Sequence, residues 1–230
     1  MKTFRKGGIH PSAEKITAQS ATEALAAQGQ LRLMLSQAIG APSKPIVKAG
    51  DTVVRGQMIA EAGGFVSAPL HSPVSGTVAK IEKVRNPQGL WQDAITINVA
   101  EEQECDCFTP RSEAEIQALT PQEIVKIIGE AGIVGLGGAT FPTRVKLTPP
   151  EGKVPDLIII NGAECEPYLT CDDRLMREEP EEIIGGTELL MRSVGVTRAI
   201  VGIEENKPEA IEAIRRAAEG KGNIEVVVLK

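Results

Sequence analysis

Two stretches of the sequence hold the residue types that could bind and transform a ligand. The first is a glycine-rich run, GIVGLGGATFPT at residues 132–143, which contains Gly135, Gly137 and Gly138. A loop with so few side chains can bring backbone N–H groups close to a flat or anionic group. The second is NGAECEP at residues 161–167, which supplies one amide and two carboxylate side chains. We expect these two runs to face each other across one pocket.

Alternating strands and helices are predicted to position the second run. The apolar stretch Leu157–Ile160 is typical of a strand buried on both faces of a sheet. Beyond it the pattern predicts a helix, a strand, a helix and a strand, over residues 180–194, 199–203, 208–219 and 224–229. This order favours an α/β domain with a parallel, Rossmann-like βαβαβ sheet. Ligands of such sheets bind beyond the carboxyl ends of the strands, where the second run lies.

Local signals also predict the helix that precedes the glycine-rich run. Thr120 suits the N-cap, Pro121 the first helical position, and Glu123 completes a capping box. Apolar residues follow at helical spacing, and Gly132 is placed to end the helix.

A small β module is predicted between residues 46 and 99, where short β-branched segments alternate with turn signals. Residues 47–61 and 72–81 resemble a biotinyl/lipoyl-type barrel-sandwich hybrid. Such carriers hold a modifiable lysine at a hairpin tip. The matching stretch, Gly64–Ser67, has no lysine, which favours a structural or docking module.

We place the domain boundary in the acidic stretch 100–119, interpreted as a linker. Residues 1–110 are then an arm with the β module, and residues 111–230 the α/β domain. The arm is expected to be extended, with at most one helical turn at Glu23–Ala27. Because the sequence ends on a predicted strand, we expect the α/β domain to be truncated and the chain to belong to a longer protein.

Composition, charge and the positions of the histidines argue against several classes of function. A net charge of −6 argues against nucleic acid as a partner, because binding phosphates requires a basic face. No apolar run approaches the roughly 20 residues of a membrane span, and we expect a cytosolic chain. The four cysteines are interpreted as reduced thiols, with a metal at the Cys-x-Cys pair 105–107 as a less favoured alternative. His10 and His71 lie outside the α/β domain, which leaves a Ser-His-Asp hydrolase unsupported.

The two runs together suit a cofactor that has a ring, a ribityl chain and a phosphate, whose charge Lys146 could neutralise. Ordinary structural roles remain open for the same residues. The alternatives are surface carboxylates for Glu164 and Glu166, a helix-start charge pair for Glu204 and Glu205, and core side chains for Phe141 and Cys165. Their shared position at one sheet edge favours binding.

Both runs resemble motifs of a known family. GLGGATFPTRVKL at 135–147 resembles the flavin-binding loop of the NADH-oxidising subunit of respiratory complex I, G-R-G-G-A-G-F-P-T-G-L-K-W. NGAECEPYLTCDDR at 161–174 resembles that family's N-A-D-E-S-E-P-G-T-C-K-D-R. With TFRKGGIHP at 3–11 and HSPVSGTV at 71–78, the whole chain resembles the N-terminal half of the RnfC family, one of the subunit families of the Rnf complexes. Those membrane complexes couple electron flow between ferredoxin and NAD to ion pumping.

The resemblance implies roles for single residues. The three glycines would pack against FMN, with Asn161 contacting it and Lys146 near its phosphate. Glu166 would lie near the nicotinamide as the catalytic acid. The remaining implied nucleotide contacts are Phe141, Glu164 and Glu205. The chain departs from the family pattern at Leu136, Thr140 and Ala163, which stand in place of Arg, Gly and Asp.

The resemblance further implies an electron-transfer enzyme that exchanges hydride between NAD(H) and FMN. Electrons would pass on to two [4Fe–4S] clusters, expected beyond Lys230. The implied partners are the other subunits of the complex, including a ferredoxin-like subunit, at the cytoplasmic face of the bacterial inner membrane. Two alternatives stay open: a docking subunit with a degenerate flavin site, and a flavin-dependent cobalamin reductase.

Overall fold

The structure is a computed structural model, and it describes residues 11–103 and 109–230. The chain forms two compact units: a β unit, residues 25–149, and an α/β unit, residues 1–24 with 150–230. Cys105, Cys107, His10 and most of the TFRKGGIHP motif lie outside the described residues. Within the described part, no helix has both the length and the apolar composition that a membrane crossing requires.

Two antiparallel sheets form the core of the β unit. One has the strand order β1-β7-β6-β3 and the other β2-β4-β5. The strands are β1 (Gln30–Met34), β2 (Lys44–Pro45), β3 (Thr52–Val53), β4 (Met58–Glu61), β5 (Leu70–His71), β6 (Gly76–Arg85) and β7 (Trp91–Val99). Ile95 and Ile97 of β7 are fully buried, and they pack with Ile59 and Val78. The core is therefore aliphatic, as expected for a chain with 3% aromatic residues.

In the described part of the β unit, three helices follow the strands: α1 (Glu113–Ala118), α2 (Pro121–Glu130) and α3 (Thr143–Lys146). The capping box at Thr120 and Glu123 is confirmed, and Gly132 follows α2 with a φ of +70°, as predicted for its end. The interpretation of residues 100–119 as a linker is wrong in part. Ser112 and Glu115 form a second capping box there, which starts α1 despite the acidic sequence.

A three-stranded parallel sheet forms the α/β unit, in the strand order β8-β9-β10. The strands are β8 (Ile158–Gly162), β9 (Ala199–Glu204) and β10 (Ile224–Leu229), and the helices are α4 (Cys171–Glu178), α5 (Pro180–Val194) and α6 (Pro208–Ala217). α5 and β10 have the predicted bounds. α4 was not predicted.

Helices pack against one face of this sheet in the described residues. Ile158 and Ile160 of β8 join the core with Val201 and Ile203 of β9 and with side chains of α5 and α6. The prediction that the first strand is buried on both faces is wrong, because Ile159, on the opposite face, is 68% exposed. A continuous apolar run gives no information about which of the two faces is covered.

The N-terminal arm belongs to the α/β unit, although the 125 residues of the β unit separate the two in sequence. Residues 20–28 have no helical turn, so the prediction for Glu23–Ala27 is wrong. The arm is ordered instead by long-range hydrogen bonds. Tyr168 donates its backbone N–H to the Ala13 carbonyl (3.0 Å), and the Thr17 and Thr170 hydroxyls lie 2.7 Å apart.

Candidate functional site

The glycine-rich run forms a short hairpin between α2 and α3. The Gly135 N–H donates to the Phe141 carbonyl and the Thr143 N–H to the Ile133 carbonyl, both at 2.9 Å. An antiparallel bridge between Val134 and Pro142 lies between these bonds. The hairpin therefore fixes the ends of the run and leaves residues 136–140 as its tip.

The tip of this hairpin presents bare backbone. Leu136 is 85% exposed, and Gly138 has a φ of +107°, which favours glycine. A Cβ built on Gly137 or Gly138 meets no atom within 4 Å. The space over these two glycines is open, so a flat ligand can approach the peptide groups closely. Phe141, at the base of the tip, is half-buried.

Lys146 places a cation beside the hairpin. It lies at the end of α3, and a Cβ on Gly135 would be 2.7 Å from its Nζ. The side chain is exposed and makes no hydrogen bond or ion pair with any residue that the structure describes. The ammonium group is thus available to an anionic ligand.

Arg144 ties the hairpin to the β module. Its Nη2 donates to the Phe65 carbonyl (2.8 Å), and its guanidinium lies 5.4 Å from the centre of the Phe65 ring. The Arg144 side chain also lies against Gly129 of α2, at a position where a Cβ would clash. The module tip that holds lysine in carrier domains is here a contact surface for α3, the helix that follows the hairpin. The sequence pattern did not predict this role for Arg144.

The second run begins at the carboxyl end of β8 and contains a helix cap. Asn161 is exposed, and its Oδ1 accepts from the Ala163 N–H at 3.1 Å. The Glu164 carboxylate is buried and accepts from the backbone N–H groups of Asp172 (2.5 Å) and Asp173 (3.3 Å) in the first turn of α4. Glu164 therefore caps this helix from a distant loop. Its role as a nucleotide ligand stays a prediction.

Two lysines hold the same loop through its carbonyl groups. Lys15 Nζ, from the arm, donates to the carbonyls of Glu164 (2.9 Å), Glu166 (2.9 Å) and Leu169 (2.6 Å). Lys207 is 3% exposed, and its Nζ donates to the Ala163 carbonyl at 2.7 Å. Neither lysine was predicted, because long-range contacts with backbone groups leave no local sequence signal.

Glu166 and Glu205 present their side chains to solvent. Glu205 follows β9, and its N–H donates to the Leu229 carbonyl at 2.8 Å. The neighbouring Glu204 accepts from Lys207 (3.3 Å), so it pairs with a buried cation. Glu166 and Glu205 are thus the carboxylates of this loop region that stay available to a ligand.

Acidic groups crowd the start of α4. Atoms of Glu164, Cys171 and Asp172 that could bind a metal lie within 4.8 Å of one another. Burial, a hydrogen bond to Glu164 and the nearby carboxylates raise the pKa of the Cys171 thiol above its usual value. Burial also raises the pKa of Asp172 and of Asp173. Because the thiolate is the reactive form, a raised pKa makes Cys171 a weaker nucleophile than an ordinary cysteine.

The predicted residues fall into two groups. Gly135, Gly137, Gly138, Phe141 and Lys146 lie together around the hairpin of the β unit. Asn161, Glu164, Glu166 and Glu205 lie in the α/β unit, at the carboxyl ends of β8 and β9. The shared pocket for both groups stays a prediction.

Comparison with known proteins shows similarity along nearly the whole chain. Residues 2–102 match the RnfC barrel sandwich hybrid domain, and residues 128–230 match the Nuo51 FMN-binding domain. The chain is 43% identical over 221 residues to the C subunit of the proton-translocating ferredoxin:NAD(+) oxidoreductase complex of Clostridium ljungdahlii, covering 96% of this chain and 48% of that protein. The chain is thus similar to RnfC subunits over nearly its whole length.

C subunits of two further complexes match a similar share of this chain. The C subunit of the ion-translocating oxidoreductase complex of Rhodobacter capsulatus is 47% identical over 214 residues, 92% of this chain and 41% of that protein. The C subunit of the Na(+)-translocating ferredoxin:NAD(+) oxidoreductase complex of Acetobacterium woodii is 41% identical over 227 residues, 97% of this chain and 51% of that protein. The chain thus spans about half the length of these relatives.

These matches confirm the predicted resemblance to the RnfC family and the predicted barrel-sandwich module. The predicted domain boundary at residue 110 stays a prediction. It falls between the two matched regions, whereas the compact units separate at residues 149 and 150.

Proposed function

We propose that this chain is the flavin- and NAD(H)-binding part of a membrane-bound, ion-translocating ferredoxin:NAD oxidoreductase. The observation that carries the proposal is the Lys146 ammonium, which has no partner among the described residues, beside an open glycine tip in a region that matches an FMN-binding domain. Bare peptide groups suit a flat ring and a free cation suits a phosphate, so the residues fit FMN.

The chain would position the cofactor and its substrate with distinct groups. Gly137 and Gly138 allow close approach of the ring, and Lys146 neutralises the phosphate. Asn161 contacts the flavin, and Phe141 stacks on the dinucleotide. Glu166 lies beside the nicotinamide and is the acid we assign to catalysis, with Glu164 and Glu205 as further nucleotide contacts. When bound, FMN supplies the ability to take hydride from NADH and to release single electrons.

The names of the relatives support the wider assignment. Those of Clostridium ljungdahlii and Acetobacterium woodii are named as subunits of ferredoxin:NAD(+) oxidoreductase complexes. We place the α/β unit in the Rossmann-like class, and the subunit on the cytoplasmic face of the membrane with a ferredoxin-like subunit as partner. Electrons would continue to two [4Fe–4S] clusters, which we assign to a part of the subunit beyond residue 230.

A flavin titration tests the proposal. FMN fluorescence should be quenched in a saturable way by the full-length subunit. Lys146→Met should weaken FMN binding roughly tenfold or more, because it removes a charge-assisted contact worth about 1.5–3 kcal/mol. Lys153→Met is the matched control, since this exposed lysine lies outside the hairpin. Equal FMN affinity in the two variants would contradict the role of Lys146.

A docking subunit with a degenerate flavin site is the second candidate. It is favoured by Leu136, an exposed apolar residue where the complex I pattern has arginine, and by Ala163, where that pattern has aspartate. Gly137→Val separates the two functions. Nothing lies within 4 Å of a Cβ at this position, so the variant should fold. It should lose flavin under the first proposal, whereas normal complex activity without bound flavin would support the second.

A further inference from the structure

We propose that Lys15 is a positioning residue for the loop that carries Glu166, so that the N-terminal arm is part of the NAD(H) site. This inference rests on the proposed function. Lys15 is 151 residues away from Glu166 in sequence, and the family motifs of the α/β unit do not include it.

The loop from Ala163 to Thr170 has a backbone that does not hold its shape unaided. Glu164 and Tyr168 have φ values of +49° and +68°, in the left-handed region that residues other than glycine rarely adopt. Such conformations persist where surrounding contacts determine them. The contacts of this loop therefore decide where the Glu166 carboxylate lies.

Lys15 provides three of those contacts at once. Its Nζ donates to the carbonyls of Glu164, Glu166 and Leu169 at 2.6–2.9 Å, which uses all three protons of the ammonium group. Three carbonyl oxygens that converge on one point repel each other unless a cation lies between them. The lysine thus closes the loop around itself and fixes the peptide of Glu166 directly.

Lys207 holds the other side of the loop. Its Nζ lies 2.7 Å from the Ala163 carbonyl and 3.5 Å from the Glu164 carbonyl. Among the hydrogen bonds of the described residues, Lys207 makes none to Glu166 or Leu169. Of the two lysines, Lys15 is therefore the one that holds the backbone carbonyl of Glu166.

The arm is itself anchored on both sides of Lys15. Ala13 accepts from the Tyr168 N–H (3.0 Å), Thr17 bonds to Thr170 (2.7 Å), and the Ala18 carbonyl accepts from Arg177 (2.8 Å). These contacts place the Lys15 ammonium without help from the lysine itself. Replacing Lys15 should consequently loosen the peptide of Glu166, while the contacts of Tyr168, Thr170 and Arg177 keep the arm in place.

Steady-state kinetics on the full-length, flavin-loaded subunit test the proposal. Lys15→Met should raise the KM for NADH about tenfold, because Glu166 then spends most of its time away from the nicotinamide. kcat should fall as well, because Glu166 is the assigned catalytic acid, whereas flavin content should change less than twofold, since the glycine hairpin is untouched. Lys153→Met serves as the control and should match the wild type.

Hydrogen exchange gives a readout that needs no bound cofactor. Amides of residues 163–170 should exchange faster in Lys15→Met than in the wild type, and those of β9 should not. A wild type that NADH fails to reduce contradicts the proposed function. An active wild type with unchanged KM and exchange in Lys15→Met contradicts the role of Lys15.

A second variant covers a failure of Lys15→Met to fold. Lys15→Arg keeps the charge, but its planar fork cannot direct three donors at three converging carbonyls. We expect this variant to fold and to raise the KM for NADH about threefold. A KM equal to that of the wild type would overturn the proposal.

Discussion

Replacing the buried cap of α4 gives the sharpest test of how this site is built. Thr170, the N-cap residue of the helix, makes no side-chain cap, and the Glu164 carboxylate takes over by accepting from the N–H groups of Asp172 and Asp173. Glu164→Ala removes both acceptors. The two donors would then lack their partner at a site where Glu164 is 9% exposed.

The size of the effect follows from three contributions. Loss of an N-cap costs about 0.5–2 kcal/mol, and a donor left without its charged partner costs about 1–3 kcal/mol. Relief of repulsion offsets part of this, because the Glu164 charge helps to raise the pKa values of Asp172 and Asp173. We expect Glu164→Ala to lower the free energy of unfolding by about 2–3 kcal/mol. Glu164→Gln keeps an acceptor and removes the repulsion, so about 1 kcal/mol is expected.

Urea unfolding followed by far-ultraviolet circular dichroism measures these differences. Glu166→Ala is the matched control, since its carboxylate is exposed and makes no hydrogen bond with the described residues. It should change the free energy of unfolding by less than about 0.5 kcal/mol. If Glu164→Ala destabilises the protein no more than Glu166→Ala does, the cap has no energetic importance and the reasoning fails.

Three further outcomes are expected. Lys207→Met should lower the free energy of unfolding by about 3–5 kcal/mol, because it leaves buried acceptors and Glu204 without their cation. Chemical denaturation measures this change, and a loss below about 1 kcal/mol would contradict the prediction. Arg144→Gln should increase the rate of proteolysis at the glycine hairpin several-fold, since it releases Phe65 from α3, and should leave the β-sheet signal in circular dichroism unchanged. An unchanged cleavage rate would show that the contact is unimportant. Hydrogen bonds from Thr22 and Arg174 lower the pKa of Glu178 from 4.5 to about 2. Because a lowered carboxylate pKa stabilises the fold above the unfolded pKa, this arm contact should weaken as pH falls from 4.5 towards 2, which exchange of the Thr22 amide measures.

Elements with local signals could be predicted from the sequence. α2 has its capping box and its terminal glycine, and α5 has a proline at its start and Gly195 after its end. α1 carried an equal signal in Ser112 and Glu115, but its acidic composition led to its interpretation as a linker. α4 had none, because its cap comes from Glu164, which lies outside the helix.

The residues of the candidate site likewise include some that the sequence indicates and some that it does not. Glycines and carboxylates in two compact motifs indicated where a cofactor and a nucleotide could bind. Lys15 and Lys207 shape the loop at residues 163–170 by donating hydrogen bonds to backbone carbonyls. Because every residue has a backbone carbonyl, no sequence pattern could point to these two lysines. The exposed Ile159 shows a similar limit in predicting the fold. Hydrophobicity alone does not specify which face of a sheet is covered by helices.

The path of the arm has a consequence for synthesis and engineering. A ribosome makes Lys15 long before the carbonyls at residues 164–169 exist, with the whole β unit in between. The α/β unit is therefore discontinuous in sequence, and the contacts between the arm and the loop at residues 163–170 can form only after the β unit has been synthesised. Expression of residues 150–230 alone would yield a unit without this loop support. Joining residues 11–24 to residue 150 through a short flexible linker should restore it as a single, smaller protein.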